Sequence, residues 1–207
     1  MDLTFVPSTK HRLVVLDIET LSLDENDDRG ALDALRGRVV SIAMLFDDGK
    51  HVSTTTLTMH DERKLLELFW SEVTPKDVFG GHCILNFDLP FILQRCWVHG
   101  IKPQRKIDLR KFYTADVIDT AEAWSFWGNK KGVSLNALGA ALNCGQKSGH
   151  GSEVADWWKA GDLAHIGRYC LDDVILTYRV LCALTYRKPL LVTPPETTVF
   201  DSLINAG

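Results

Sequence analysis

Long apolar runs are missing from this sequence: none approaches the ~18 residues that would cross a bilayer. The first residues (MDLTFVPSTKHR) lack the charged-then-apolar layout of a secretory signal. Cysteine is scarce, with five residues at 83, 96, 144, 170 and 182, odd in number and without a CxxC pair. This excludes a disulfide framework and points to reduced thiols in a cytoplasmic protein. There is no Walker loop, no GxSxG, no zinc-ligand spacing, no internal repeat and no low-complexity segment. Nor is there an excess of positive charge. A net charge of −4 argues against a protein that grips nucleic acid over its whole surface, but leaves a local footprint open.

What is present is ordinary globular material: 45% hydrophobic residues in 207, enough for the core of one α/β domain. LVVLDIETLSL, from Leu13, is β-branched and aliphatic and reads as a buried strand. An acidic stretch (Asp24, Glu25, Asp27, Asp28) and Gly30 follow as a surface loop. RVVSIAMLFDDGKHVSTTTL reads as a hairpin turning at Asp47-Asp48-Gly49. His60 to Val73 has helical spacing, and a short strand is expected near Val78 to His82. FDLPFILQRCWVHGI then reads as a helix with Pro90 in its first turn, where proline is tolerated. Ser134 caps an amphipathic helix, and a long last helix is expected over Asp162 to Leu184. Pro189, Pro194 and Pro195 argue that residues 188–207 are a tail beyond a single domain of residues 1–187. Together these elements predict a mixed sheet flanked by helices.

Certain carboxylates stand in contexts that require explanation. Asp17 and Glu19 project from one face of the first strand, since alternate residues share a face. Two acids at the end of an apolar strand repel each other and are costly to desolvate, so either solvent or a cation must compensate them. Tyr169 and Asp173, in GRYCLDDVILTYRV, lie one helical turn apart on one face, whereas Asp172 points away from them. That face is either a core position with a structural acceptor or part of a site. Asp88, in GGHCILNFDLPFI, is by itself most simply read as a helix N-cap. Asp119 in DVIDT is expected to cap a helix, with a place near the site as the alternative.

Taken in order, LDIET, NFDLPF and YCLDD resemble the DEDD (DnaQ-like) exonucleases. The stand-alone relatives of the proofreading exonuclease domain of family-B DNA polymerases are the most similar. The resemblance runs from Leu13 to Leu184. It implies an RNase H-like fold, a five-stranded mixed sheet flanked by helices. It also implies a 3′–5′ exonuclease that holds two Mg²⁺ or Mn²⁺ ions with Asp17, Glu19, Asp88 and Asp173 and releases nucleoside monophosphates. The partner it implies is single-stranded nucleic acid with a free 3′ end, DNA favoured, and no membrane. An inert binding module of the same fold and an oligoribonucleotide exonuclease are the alternatives. Tyr169 and Asp173 satisfy the Y-x3-D of the tyrosine subgroup, so Tyr169 is expected to orient water. In the histidine subgroup's place stands Arg168.

One departure is visible. Where that family's second block carries an Asn that contacts the terminal nucleotide, this chain has Cys83 or Ile84, with Asn86 out of frame. Substrate contacts are therefore expected among Cys83, Asn86 and Phe87, although Phe87 also reads as core. The basic run 102–111 (KPQRKIDLRK) contributes Lys102, Arg105, Lys106, Arg110 and Lys111, and Lys130, Lys131 and Lys147 could extend a phosphate path. Trp124, Trp127, Trp157 and Trp158 are core or stacking residues; sequence does not decide between the two.

Overall fold

The structure is a computed structural model and describes residues 5–27, 29–147, 151–192 and 197–200. Its sheet is ordered β5-β4-β1-β2-β3-β6. Strand β1 (Leu13–Ser22) lies centrally, antiparallel to β2 (Gly37–Asp47) and parallel to β4 (Val78–Gly81). β2 turns into β3 (Val52–Thr58), and β5 (Val117–Asp119) runs parallel to β4. The hairpin closes where expected: Asp47 accepts from the Gly49 amide and Asp48 from those of Lys50 and His51, each at 2.8 Å. Gly49, at φ +84, supplies the left-handed turn.

These five strands form the expected mixed sheet. A sixth, β6 (Thr197–Phe200), comes from the segment read as a tail and pairs parallel with β3. Four residues are too short a run to show alternation, which is why no strand was expected there.

Helix α1 (Glu62–Glu72) and helix α2 (Asp88–Val98) cover one face of the sheet. The short α3 (Thr120–Ser125), α4 (Leu135–Ala141) and α5 (Val154–Lys159) precede the 22-residue α6 (Leu163–Leu184) on the other. Strand alternation separates two cores. Val14, Leu16 and Ile18 pack with Leu65, Phe69, Phe79 and Ile92, whereas Leu13 and Val15 pack with Val174, Tyr178 and Leu181 of α6. The long helix is capped by Asp162 and α4 by Ser134, as their sequences suggest. Among the described residues no helix is long and apolar enough to cross a membrane.

Candidate metal centre

The parity that sends Leu13 and Val15 toward α6 carries on along β1 and delivers Asp17 and Glu19 to the same side. The β1–β2 register shifts between Glu19 and Thr20, a bulge beside the acids after which pairing resumes at Thr20–Val39. From α6, Tyr169 and Asp173 face the strand and are buried, while Asp172 is exposed. Between them Cys170 is buried, its Sγ 3.3 Å from the Asp17 carbonyl. One ligand atom each of Asp17, Glu19 and Cys170 lie within 4.8 Å of one another.

Asp88 arrives from the other core. It is the first residue of α2, but its carboxylate does not act as a cap. Phe87 holds the cap position, and Asp88 Oδ1 instead accepts from the Ile18 amide of β1 at 3.1 Å. The loop leading to it is fixed by Asp119, which accepts from the amides of Cys83 (3.0 Å) and Leu85 (3.1 Å). Asp119 also caps α3 through Ala121 and Glu122. Both readings of Asp119 therefore hold: it caps a helix and it shapes the site.

The electrostatics match four acids gathered with too little positive charge. Burial, then the charges of Asp88, Glu19 and Asp173, push Asp17 well above the usual carboxylate range. Asp17 nevertheless keeps part of its surface open, which leaves a ligand access to it. Burial and then Asp173 push Glu19 up to about 8, and burial is the main reason Asp88 rises to about 7. Burial also raises Asp173, against the opposing pull of Lys147.

Lys147 is the one cation that reaches this group among the described residues. Its Nζ donates to Tyr169 Oη at 2.9 Å and to Asp173 Oδ2, and it lies 4.6 Å over the Tyr169 ring. Asn136 of α4 holds the Lys147 backbone from both sides, accepting its amide at 2.8 Å and donating to its carbonyl at 3.4 Å. Asp173 Oδ1, by contrast, is buried with no hydrogen-bond partner. An orphaned carboxylate oxygen in a set of oxygen donors is what a hard divalent cation would complete, so the residues fit the ions that the sequence implies.

The other expected contacts divide. Cys83 is exposed in a left-handed turn at φ +64, whereas Ile84 is fully buried in the core. Only Cys83 can stand where an Asn would meet a nucleotide. Asn86 is exposed and donates to Glu122 at 2.9 Å. Phe87 is half-buried, 5.5 Å from Phe91, and packs as core.

Arg105 and Lys106 are not brought to the acids. Arg105 binds the Asp77 carbonyl and Asp116 (3.1 Å), its side chain only 8% exposed. Asp77 precedes β4 at the level of Arg12, because Leu13 pairs with Val78. At ~3.3 Å per residue, that places Arg105 at the far end of the sheet from Asp17, roughly 13–16 Å away. Arg110 is likewise occupied by Asp108 at 2.9 Å. Lys147, expected on a phosphate path, is instead inside the carboxylate group. Trp157 stacks on His165 (4.2 Å) and lies 5.4 Å from Tyr169, and Trp127 is buried.

Comparison with known proteins gives the following. The sequence model of the family described as predicted 3′–5′ exonuclease related to the exonuclease domain of PolB matches residues 32–193. This range contains Asp88, Tyr169 and Asp173 and begins after Asp17 and Glu19. The curated proteins contain no match. Among solved structures, a family B DNA polymerase from the hyperthermophilic archaeon Pyrobaculum calidifontis is similar at 21% identity and a TM-score of 0.64. The similarity covers 82% of this chain and 24% of the polymerase chain. This chain thus corresponds to about a quarter of that polymerase and shares the fold of that portion.

Proposed function

Because the chain belongs to the family of predicted 3′–5′ exonucleases related to the exonuclease domain of PolB, we propose that it hydrolyses single-stranded nucleic acid from the 3′ end, DNA in preference to RNA. The product would be nucleoside monophosphates. The observation that supports this reading is that Asp17 and Glu19 of one strand, Asp88 and Asp173 come from three separate segments. Burial and then their mutual charges raise Asp17, Glu19 and Asp88, with Lys147 bound to Asp173. Asp17, Glu19 and Asp173 would hold one Mg²⁺ or Mn²⁺, and Asp17 with Asp88 a second. When bound, such ions supply positive charge to the attacking and leaving oxygens of an in-line displacement.

The chain's own groups prepare that step. Burial holds the Tyr169 hydroxyl above its ordinary pKa, although Lys147 pulls the other way, so it stays protonated near neutrality. Trp157 fixes its ring and Lys147 its oxygen, which leaves the hydroxyl set to orient the attacking water. Lys147 also adds a fixed positive charge beside Asp173, where a phosphate has to approach. Next to Glu19 is a cavity of about 550 Å³ whose lining includes Thr20, Leu21, Leu23, Arg38 and Trp158. It has the room for a terminal nucleoside, with Leu21, Leu23 and Trp158 as apolar walls and Asp24, Glu25 and Asp27 among its polar lining.

The test uses oligonucleotides labelled at either end, with Mg²⁺, with Mn²⁺ and with EDTA. A metal-dependent ladder from the 5′-labelled strand is expected. Early release of the 5′ label as a mononucleotide would reverse the polarity, and equal rates in EDTA would remove the ions from the reaction.

A further inference from the structure

On the β5 side of the carboxylates, the chain shows rings where its own packing does not need them. Phe112 is 65% and Phe126 58% exposed, with Trp124 at 38%. Phe112 and Phe126 also have left-handed backbone, at φ 68 and φ 51, a conformation that bulky side chains disfavour. Phe112 is tied to the segment that carries Phe126 through the ring of Trp127, the next residue along the chain. Phe112 lies 5.2 Å from the buried Trp127, and Lys111 Nζ is 5.2 Å over the Phe112 ring.

Charge here runs against the chain's average. Lys111, Lys130 and Lys131 are exposed, and none is in an ion pair among the described residues. The acids of the same stretch are all engaged: Asp116 with Arg105, Asp119 with four backbone amides, and Glu122 with Asn86. Those last two contacts also join this surface to the site. The six-residue α3 connects them, so Trp124 and Phe126 stand within about 9 Å of helix from the residues that hold the loop before Asp88.

Resting on the exonuclease reading, we infer that this surface is a platform for the single strand upstream of the scissile phosphate. Bases stack on Phe112, Phe126 and Trp124 while Lys111, Lys130 and Lys131 follow the phosphates. Exposed rings interleaved with unpaired lysines are the arrangement that binds single strands without reading sequence. Of the basic run 102–111, Arg105 and Arg110 are engaged by acids, and its last residue, Lys111, is the part that joins this surface.

The test is a Phe112→Asn/Phe126→Asn double variant. Asparagine is at ease in left-handed backbone, so the rings go and the turns remain. Fluorescence anisotropy with a labelled 16-mer of dT reads binding whether or not hydrolysis occurs. At least ~10-fold weaker binding is expected, with a shallower salt dependence in a further Lys130→Ala/Lys131→Ala variant. Hydrolysis of thymidine 5′-monophosphate p-nitrophenyl ester with Mn²⁺, a substrate too short to reach the platform, should keep its wild-type rate. Unchanged 16-mer affinity in the double variant would overturn the platform. So would a loss of rate on the ester as large as that on the 16-mer. A wild-type protein that binds the 16-mer but hydrolyses neither substrate would count against the exonuclease reading and leave the platform standing on its binding data.

Discussion

Two groups of buried acid in this molecule are treated in opposite ways. Glu62, on the α1 side, accepts from Arg95 through Nε (2.8 Å) and Nη2 (2.7 Å) and from the Val39 amide (2.8 Å), and pairs with His99 at 2.7 Å. Burial alone would raise it, yet Arg95, His99 and the Val39 amide together hold it below its ordinary pKa. At the carboxylate centre Asp17, Glu19 and Asp173 share Lys147, Asp88 has no cation among the described residues, one oxygen of Asp173 has no partner, and every acid is raised. The same fold that neutralises one buried acid completely leaves four others wanting positive charge. Structural burial is completed at Glu62, whereas the open carboxylate centre has the incomplete pairing that the proposed metal site requires.

Replacing acids in the two groups should separate the two behaviours. Asp17→Asn is expected to lower hydrolysis by on the order of 10³-fold or more while raising the thermal midpoint in EDTA, because it relieves repulsion. Glu62→Ala should do the reverse. It leaves Arg95 buried and unpaired, which costs about 3–5 kcal/mol, read by urea unfolding, with ester hydrolysis per folded molecule retained. An Asp17→Asn protein destabilised as strongly as Glu62→Ala would erase the distinction.

The pH dependence sharpens it further. Glu19 at about 8 and Asp88 at about 7 are raised above their unfolded values, so between roughly pH 4.5 and 8 the folded state binds the extra protons. Their contribution is full below the unfolded pKa and is lost as pH rises through the folded one. Urea midpoints in EDTA should therefore fall from pH 5 to pH 8, and Mn²⁺ should flatten or invert the trend. A midpoint that rises over this range without metal would contradict the assignment.

Much of this was legible in the sequence. Alternation in LVVLDIET fixed which face Asp17 and Glu19 take, because a period of two admits no other choice once Leu13 and Val15 are core. The i,i+4 spacing of Tyr169 and Asp173 worked for the same reason. What was not legible depends on contacts between distant segments. Lys147 read as one more cation on a phosphate path, and its contact with Asp173 depends on a fold in which Asn136 of α4 holds its backbone. Cys170 gave no sign of lying against Asp17. At residues 102–111 the run of cations suggests a footprint, and the sequence does not show that Arg105 within it braces Asp77 and Asp116.

Smaller effects test the roles of the groups around the acids. Tyr169→Phe deletes one hydroxyl and should lower kcat about 10–100-fold, at or below the usual range for proton-handling groups. Mn²⁺ affinity should hold; a parallel loss of Mn²⁺ affinity would make Tyr169 a ligand instead. Cys83→Asn is the mildest change. An added hydrogen bond contributes ~0.5–1.5 kcal/mol, so KM for oligonucleotides should fall roughly threefold to tenfold. Ile84→Asn, which buries an amide in the core, should only destabilise the fold.

The central claim is that the acids around Lys147 are held under-compensated for a divalent cation. Isothermal titration of the EDTA-stripped protein with Mn²⁺ at pH 7, in buffers of different ionisation enthalpy, tests it without reference to any substrate. The account predicts binding with net release of protons, since Glu19 and Asp88 retain theirs near neutrality, and loss of that binding in Asp17→Asn. Binding with no proton release and no dependence on Asp17, or no binding at millimolar Mn²⁺, would contradict it.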